Sequence, residues 1–432
     1  MSHLYQKNSL KILPLLAIYF ICGCAAAGAV LVPLDSIEPP KGKYGIGTQV
    51  YFWTDKNRGE VYTTDPTDFR ELMVQVWYPA EKREGYQNAP HVTFPKKAIK
   101  SIVQTAGLPT NFGQHGTKLV SNSISGLTPI QNERFPLVLF SHGDGGLLNQ
   151  NTSQVEELVS NGYVVIACNH TYNASISFDK EGNAILYKQN VSWNEQAQYH
   201  KKYYTNLLIN YRYQDLAFLL NQLKKEILPN GERNPFQQII DFNNVGAMGH
   251  SMGGGTTYVG LLKDENIKAG IAFDGWFFGL LDKEADTDTK KPFLHIGQEQ
   301  FLDDKIPGDI NDSIDGKRNF DIYQAMLKNN KESYGVYIKN SLHYSFTDLK
   351  LIYRQGAPLS LPLNNLGGVD KKVIDKVMDT MVLDFFNYTL KNKKFDITTY
   401  NKYGGNVIYQ QHPQVIKPSF KETIFQNPQK IN

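Results

Sequence analysis

Apolar runs alternate with segments of helical periodicity along most of the chain. Strands are predicted at 44–53, 70–79, 136–141, 163–169, 244–248, 269–273, 292–296 and 334–338. Amphipathic helices are predicted between them, among them a long helix carrying Leu208 to Leu223 and a last helix over 369–391. Ser153-x-x-Glu156 predicts a capping box at the start of one helix. Because such alternation builds a mostly parallel sheet with helices on both faces, the sequence predicts an α/β fold.

The polar stretches divide the chain into a folded domain and its appendages. Residues 43–394 are predicted to form one domain, and two turn-rich segments at 80–134 and 172–200 are predicted as polar insertions in it. The proline-containing residues 24–42 predict a tether, and residues 395–432 predict a polar C-terminal tail.

The first residues have the pattern of a targeting segment. Residues 1–23 combine two lysines with the apolar stretch Leu10–Ile21, which is short for a membrane span and predicts a signal peptide. Ile21-Cys22-Gly23-Cys24 resembles a bacterial lipobox, so we expect Cys24 to be lipidated and to become the first mature residue. The alternative is ordinary cleavage after Ala25-Ala26-Ala27, which would give a secreted protein. The favoured interpretation is an exported lipoprotein anchored to a membrane of the bacterial cell envelope.

Composition narrows the possible functions. The chain has 432 residues, 41% of them hydrophobic, and a formal net charge of +3, which argues against a nucleic-acid partner. Apart from Cys22 and Cys24, only Cys168 is present, in an apolar strand, so the sequence predicts no disulfide framework. The sequence has no zinc-type cluster and no Walker motif, and we expect neither a metal nor a cofactor.

The most informative motif is Gly249-His250-Ser251-Met252-Gly253. It follows the apolar run 245–248 and precedes a predicted helix, which is the context of a G-x-S-x-G nucleophile elbow. Glycines on both sides leave room for the sharp turn that exposes a serine hydroxyl. Ser251 is therefore the candidate nucleophile.

A second motif occurs where another predicted strand ends. Residues 136–141 lead into His142-Gly143-Asp144-Gly145-Gly146, a histidine–glycine loop. Such loops offer a backbone N–H to an oxyanion, and the residue after the nucleophile offers the other, so the candidate donors are Asp144 and Met252. No Lys-Ser/Thr follows the glycines, which excludes a P-loop. The two motifs together predict the α/β-hydrolase fold.

The candidate base is His343. An activated serine needs a base, which in this fold follows the last strand. His343 is placed there, whereas His295 lies inside an apolar strand and His412 lies in the tail.

The carboxylate that orients the base has two candidate positions. Asp274 ends the strand that follows the elbow helix, whereas Glu299, Asp303 and Asp304 follow the next strand. Because the partners of the serine follow in the order acid and then histidine, both positions are compatible, and periodicity alone leaves the choice open.

Several stretches resemble the secreted-type platelet-activating-factor acetylhydrolases and their bacterial relatives. The matching stretches are Val74–Ala80, Phe135–Gly143, Gly249–Gly254, Ala272–Trp276, Ile296–Phe301 and Leu342-His343. In that family the acid stands in an Asp-x-Trp context after the elbow helix, so the resemblance implies Asp274. It also implies the N–H groups of Asp144 and Met252 as oxyanion donors, although the family commonly has an apolar residue at the position of Asp144.

The resemblance implies a serine-dependent, calcium-independent ester hydrolase without a metal. Its expected substrates are glycerophospholipids with a short or oxidised sn-2 acyl group, such as platelet-activating factor. The alternatives are a general carboxylesterase, a cutinase-like polyester hydrolase, and a non-catalytic surface lipoprotein that has kept the fold. A lipid anchor at Cys24 would hold the enzyme at a membrane that contains such substrates.

Overall fold

The computed structural model describes residues 29–30, 33–105, 109–188, 198–302, 314–352, 366–411 and 414–416. The predicted signal peptide and Cys24 lie outside these residues. Within the described residues, no helix combines the length and the apolar run needed to cross a bilayer.

Among the described residues, the centre of the protein is one sheet of eleven strands. In chain order they are β1 Gly45–Gly59, β2 Phe69–Ala80, β3 Ile124–Ser125, β4 Phe135–Ser141, β5 Val164–Asn169, β8 Ile240–His250, β9 Ile267–Phe273, β10 Phe293–Gln298, β11 Ser333–Ile338, β12 Val407–Gln411 and β13 Gln414–Ile416. A separate hairpin contains β6 Ile176–Phe178 and β7 Ala184–Leu186.

The strand order confirms the mostly parallel sheet. The order is β13-β12-β11-β10-β9-β8-β4-β5-β2-β1-β3. The pairings from β5 through β4, β8, β9 and β10 to β11 are all parallel, whereas β2 and β12 pair antiparallel at either end of that block. The carboxyl ends of the central strands therefore meet at one edge, where α/β folds place their ligand sites.

Helices cover both faces of the sheet. They are α1 Pro95–Thr105, α2 Thr152–Ser160, α3 Gln198–Leu223, α4 Met252–Lys263, α5 Asp282–Ala285, α6 Ile314–Asn329, α7 Asp348–Ile352 and α8 Lys371–Lys391, and the 3-10 helices are Gln114–Lys118, Glu299–Leu302, His343–Phe346 and Ile397–Asn406. Side chains of β4 alternate between two cores: Leu137 and Leu139 pack under α3 and α4, and Val138 and Phe140 pack under α2 and α8. The α/β-hydrolase fold is confirmed.

Parts of the predicted appendages belong to the folded body. Residues 407–411 and 414–416, predicted as tail, extend the sheet beyond β11 and bury Val407 and Tyr409. The predicted tether is docked over residues 35–42, where the Gly42 N–H donates to Ser160 Oγ at 3.2 Å. Short polar strands and extended docked segments lack the periodicity on which the sequence prediction depends.

The capping box predicted at Ser153 and Glu156 is wrong. The helix begins at Thr152, and the N-cap residue makes no side-chain capping bond. The N–H groups of Thr152 and Ser153 instead donate to the buried carboxylate of Asp348, at 2.6 and 3.2 Å. Glu156 accepts from Ser123 in the predicted insertion. A side chain distant in sequence therefore supplies the cap.

Candidate active site

Ser251 occupies a strained turn between β8 and α4. Its backbone has φ 56° and ψ −123°, in the region of positive φ that a side chain disfavours. The turn is held by hydrogen bonds from the Ser251 N–H to Phe273 O and from the Trp276 N–H to Ser251 O, both 2.9 Å. The fold therefore holds Ser251 in the strained strand-to-helix turn that the motif predicts.

Two glycines of the motif are required by close backbone approach. A Cβ at Gly249 would lie 2.3 Å from Gly253 O, and a Cβ at Gly253 would lie 2.0 Å from Ser141 O. Because these neighbours are backbone atoms that cannot swing aside, both positions exclude larger residues.

Asp274 and His343 form a hydrogen-bonded pair at the carboxyl edge of the sheet. Asp274 directly follows β9, and its Oδ2 accepts from His343 Nδ1 at 2.5 Å. Gln298, at the end of β10, donates its backbone N–H to Asp274 Oδ1 at 3.1 Å and its side-chain amide to Oδ2 at 2.6 Å. The carboxylate is therefore fixed by groups from two further segments, the end of β10 and the segment that contains His343.

These contacts keep Asp274 ionised. Burial alone would raise its pKa, but the hydrogen bond and charge of His343 and the amide of Gln298 outweigh burial, and the pKa lies below its ordinary value. A buried carboxylate beside Nδ1 holds the imidazole in the tautomer whose Nε2 is a free base.

Aromatic rings fix the position of the imidazole. The ring of Trp276 stacks on His343 with centroids 5.5 Å apart, and the ring of His250 lies 4.5 Å away on centroids. His250 Nε2 also bonds to the carbonyl oxygen of His343 at 3.0 Å. His250 directly precedes Ser251 in sequence, and the Trp276 N–H donates to Ser251 O. Because both rings contact His343, the Ser251 turn and His343 lie close together. The His343 side chain keeps 14% of its surface exposed.

The histidine–glycine loop, residues 142–146, lies against the elbow. A Cβ at Gly143 would be 3.2 Å from Ser251 Cβ. The Met252 N–H is in the first turn of α4 and has no acceptor within its helix. Within the described residues the Asp144 N–H also makes no hydrogen bond. Among the described residues, neither predicted donor uses its N–H in a hydrogen bond; Met252 directly follows Ser251, and Asp144 follows Gly143 in the loop that lies against it.

The carboxyl group of Asp144 is tied down at the side of the loop. Its Oδ2 accepts from the hydroxyl of Tyr187 at 3.0 Å. Burial raises the pKa of Asp144, and nearby Arg212 and Tyr187 oppose that rise without cancelling it. Its backbone can thus serve the site while burial disfavours a negative charge on its side chain.

The other candidates lie elsewhere. Glu299 Oε1 accepts from the Asn340 N–H at 3.1 Å, and Asp303, Asp304 and His412 lie outside the described residues. His295 is buried, and its Nε2 accepts from the Gly275 N–H at 3.1 Å. Asp274 is therefore the carboxylate that the structure brings to His343.

Sequence reasoning missed Gln298 and Gln150. Gln150 accepts from the Gly143 N–H at 3.2 Å and bonds to His250 Nδ1 at 2.6 Å, so it joins the histidine–glycine loop to the elbow. Burial, followed by the nearby charge of His343, lowers the pKa of His250 to about 3, so this ring is neutral. Glutamines carry no motif, and only their position after a strand or in a loop could have drawn attention to them.

One group of side chains has the spacing of a metal site. Donor atoms of Cys168, His170 and Asp215 lie within 4.8 Å of one another. However, both oxygens of Asp215 are engaged by Arg70, and burial raises the pKa of the Cys168 thiol well above its ordinary value. A neutral thiol and a carboxylate paired with arginine make this group unsuitable for a cation.

Comparison with known proteins identifies relatives of this chain. The platelet-activating factor acetylhydrolase of Cavia porcellus is 26% identical over 78% of this chain and 73% of that protein. The enzyme of the same name from Canis lupus familiaris is 25% identical over 86% and 81%. A probable 1-alkyl-2-acetylglycerophosphocholine esterase of Arthroderma benhamiae is 26% identical over 60% and 64%.

The fold also matches a solved structure. The ferulic acid esterase from Streptomyces cinnamoneus superposes with a TM-score of 0.65 at 22% identity, covering 84% of this chain and 95% of that one. The family model described as platelet-activating factor acetylhydrolase, isoform II, matches residues 35–404, which contain both motifs, Asp274 and His343. Because the match spans most of the sequence, the chain belongs to the platelet-activating factor acetylhydrolase, isoform II, family.

Proposed function

We propose that this protein is a serine-dependent ester hydrolase in which Ser251, His343 and Asp274 form the catalytic triad. Membership of the acetylhydrolase family supports an ester hydrolase and disfavours a non-catalytic lipoprotein. The observation that carries the serine mechanism is the 2.5 Å Asp274–His343 pair beside the strained Ser251 turn.

The proposed mechanism uses only groups of this chain. His343 Nε2 takes the proton from Ser251 Oγ as the oxygen attacks the ester carbonyl, and Asp274 stabilises the imidazolium that results. The N–H groups of Met252 and Asp144 bind the tetrahedral oxyanion. His343 then protonates the departing alcohol, and the attack of water on the acyl-enzyme regenerates Ser251.

The proposed substrates are glycerophospholipids with a short or oxidised sn-2 acyl group. Relatives whose names specify acetyl esters of this kind support that class. Trp276, half-buried and stacked on His343, presents an apolar surface beside the reacting groups. Phe277 instead packs within the core against Tyr323, so of these two consecutive aromatic residues it is Trp276 that contacts His343.

The test measures hydrolysis of short-chain and long-chain sn-2 phospholipids and of a soluble p-nitrophenyl ester, all in EDTA, with Ser251→Ala as the blank. We expect Ser251-dependent turnover with a strong preference for the short sn-2 chain. A loss of about 10⁴-fold or more is expected in Ser251→Ala. Turnover of the soluble ester alone would sink the phospholipid assignment and leave a general carboxylesterase or cutinase-like enzyme. Equal activity of Ser251→Ala would refute the serine mechanism.

We also propose that the protein is a lipoprotein of the bacterial envelope, anchored through Cys24. The proposal depends on the lipobox-like sequence at 21–24, which lies outside the described residues. In a bacterial host fed an alkyne-bearing fatty acid, the full chain is expected to acquire the label and Cys24→Ala to lose it, with Cys168→Ala as the matched control. Labelling that survives Cys24→Ala would refute the anchor.

A further inference from the structure

Arg212 is a buried cation that contacts the histidine–glycine loop. It lies on α3 and is fully buried, and its Nη2 donates to the carbonyl oxygen of His142 and, at 3.4 Å, to that of Gly143. Its Nε and Nη1 are also buried but have no hydrogen-bond partner in the described part of the chain. Within the described residues, every hydrogen bond of the Arg212 guanidinium is therefore made to the histidine–glycine loop.

In the part of the chain that the structure describes, Arg212 forms no ion pair. Arg70, another fully buried arginine, pairs with Asp215 at 2.7 Å and with Glu60 at 3.0 Å. Among the described residues, Arg212 has no carboxylate within ion-pair distance. Burial lowers its pKa, and the more distant charges of Asp144 and Asp215 oppose that fall without cancelling it. An unpaired buried cation is costly to folding, so packing alone is a poor reason for an arginine at this position.

The more distant of the two contacted carbonyls, Gly143 O at 3.4 Å, belongs to the peptide that offers the Asp144 N–H. Gly143 O accepts from His142 Nδ1 at 2.6 Å, from the Gly146 N–H at 3.0 Å and from Arg212. The His142 ring is held with its proton on Nδ1, because its Nε2 accepts from the His170 N–H at 3.0 Å. The peptide between Gly143 and Asp144 is trans, as are all the described peptides, and in a trans peptide the C=O and N–H point in opposite directions. The Asp144 N–H therefore points away from the side where Arg212 binds.

We propose that Arg212 is a positioning residue for ester hydrolysis, which sets and polarises the peptide between Gly143 and Asp144. Donation to the carbonyl strengthens the N–H of the same peptide as a donor, and the cation adds positive potential behind it. Both effects act more strongly on an oxyanion than on a neutral ester, so they raise kcat more than they lower KM. The inference rests on the proposed function, because it needs an oxyanion next to Ser251.

The test compares p-nitrophenyl acetate with its thionoacetate analogue, whose sulfur accepts hydrogen bonds poorly. The full chain in detergent is assayed as wild type, Arg212→Met, Arg212→Lys and Arg58→Met. Arg58→Met is the matched control, because Arg58 forms ion pairs with Asp55 and Asp215 and, among the described residues, makes no hydrogen bond to the histidine–glycine loop. Thermal unfolding establishes which variants are folded.

In Arg212→Met we expect kcat to fall about 10²-fold for the oxygen ester, with KM within about threefold. The ratio of activity on the oxygen ester to activity on the thiono ester should fall in Arg212→Met. Arg212→Lys should recover part of that ratio, and Arg58→Met should keep the wild-type ratio. If Arg212→Met does not fold, the reduced preference in Arg212→Lys carries the test. An unchanged oxygen-to-sulfur preference in the folded Arg212 variants overturns the inference. Absence of Ser251-dependent turnover in the wild type instead overturns the proposed function.

Discussion

At the scale of single residues, the candidate site depends on which carboxylate reaches the imidazole. Asp274 has a positive φ of 45°, an uncommon conformation that turns its side chain out of β9 toward His343. The family resemblance favoured this residue, whereas periodicity left Glu299 equally possible. The structure separates the two because Glu299 bonds to the backbone of Asn340.

Replacing Asp274 with Asn should cost most of the activity while the fold is kept. The amide can present its N–H₂ to Nδ1, which stabilises the wrong imidazole tautomer, so kcat/KM should fall by on the order of 10⁴. The matched control is Glu299→Gln, which should stay within about threefold because Glu299 does not contact His343. Hydrolysis of p-nitrophenyl acetate measures both, and equal losses in the two variants would contradict the assignment of Asp274.

Gly253 tests the geometry of the elbow. In Gly253→Ala the new methyl group would lie 2.0 Å from the carbonyl oxygen of Ser141, the last residue of β4. The Ser251 turn and the end of β4 must therefore move apart. We expect soluble yield or the melting temperature to fall, and kcat to fall in any folded protein. Gly231→Ala is the control, because a Cβ there meets nothing within 4 Å and only the strain of its positive φ remains. A Gly253→Ala enzyme with wild-type kcat and stability would show that the turn tolerates a side chain.

At the scale of elements, the sequence predicts the central strands and helices because their apolar periodicity is strong. The strands β4, β8, β9 and β11 lie where the pattern places them, and the elbow lies between β8 and α4. The periodicity does not predict β12 and β13, since strands of a few mixed residues have no clear alternation. It also misses the cap of α2, because the carboxylate of Asp348 is almost two hundred residues away and is brought there only by the fold.

The last helix offers a local test of capping. Asp370 precedes α8, and its side chain accepts from the Lys372 N–H at 2.7 Å. Asp370→Ala removes this cap and should lower the free energy of unfolding by about 1 kcal/mol. Asp370→Asn, which keeps an acceptor, should change it by less. Urea unfolding checks both, and kcat should stay unchanged because α8 lies outside the site.

At the scale of the whole molecule, buried carboxyl groups on the two faces of the sheet make stability depend on pH in opposite directions. On one face Arg70, Arg58 and His170 surround Asp215, and despite its burial these partners hold its pKa well below the ordinary value. Asp215 therefore adds stability that is present above its unfolded pKa and is lost as pH falls through the folded one. Asp379 lies on the other face, and its pKa is shifted in the opposite direction, so its contribution to stability depends on pH in the opposite way.

Asp379 lies on α8, contacts Gln154 of α2, and has acidic side chains nearby. Burial, followed by the negative charge of Asp375, raises its pKa from 3.8 to about 8, and Gln154 Nε2 donates to its Oδ1 at 2.8 Å. The folded state therefore binds this proton more tightly than the unfolded state. The resulting stability is fully present below the unfolded pKa and is lost as pH rises toward the folded pKa.

Asp379→Asn should remove the loss of stability at high pH, because the amide is neutral and keeps an acceptor for Gln154. We expect the variant to unfold at a higher temperature than the wild type at about pH 8, with the difference shrinking as pH falls toward about 5. Asp286→Asn, at an exposed position, is the control and should track the wild type throughout. Thermal unfolding across this range decides the point. A constant offset between Asp379→Asn and the wild type would mean that Asp379 does not titrate in the folded protein, and that its burial is balanced by hydrogen bonds alone.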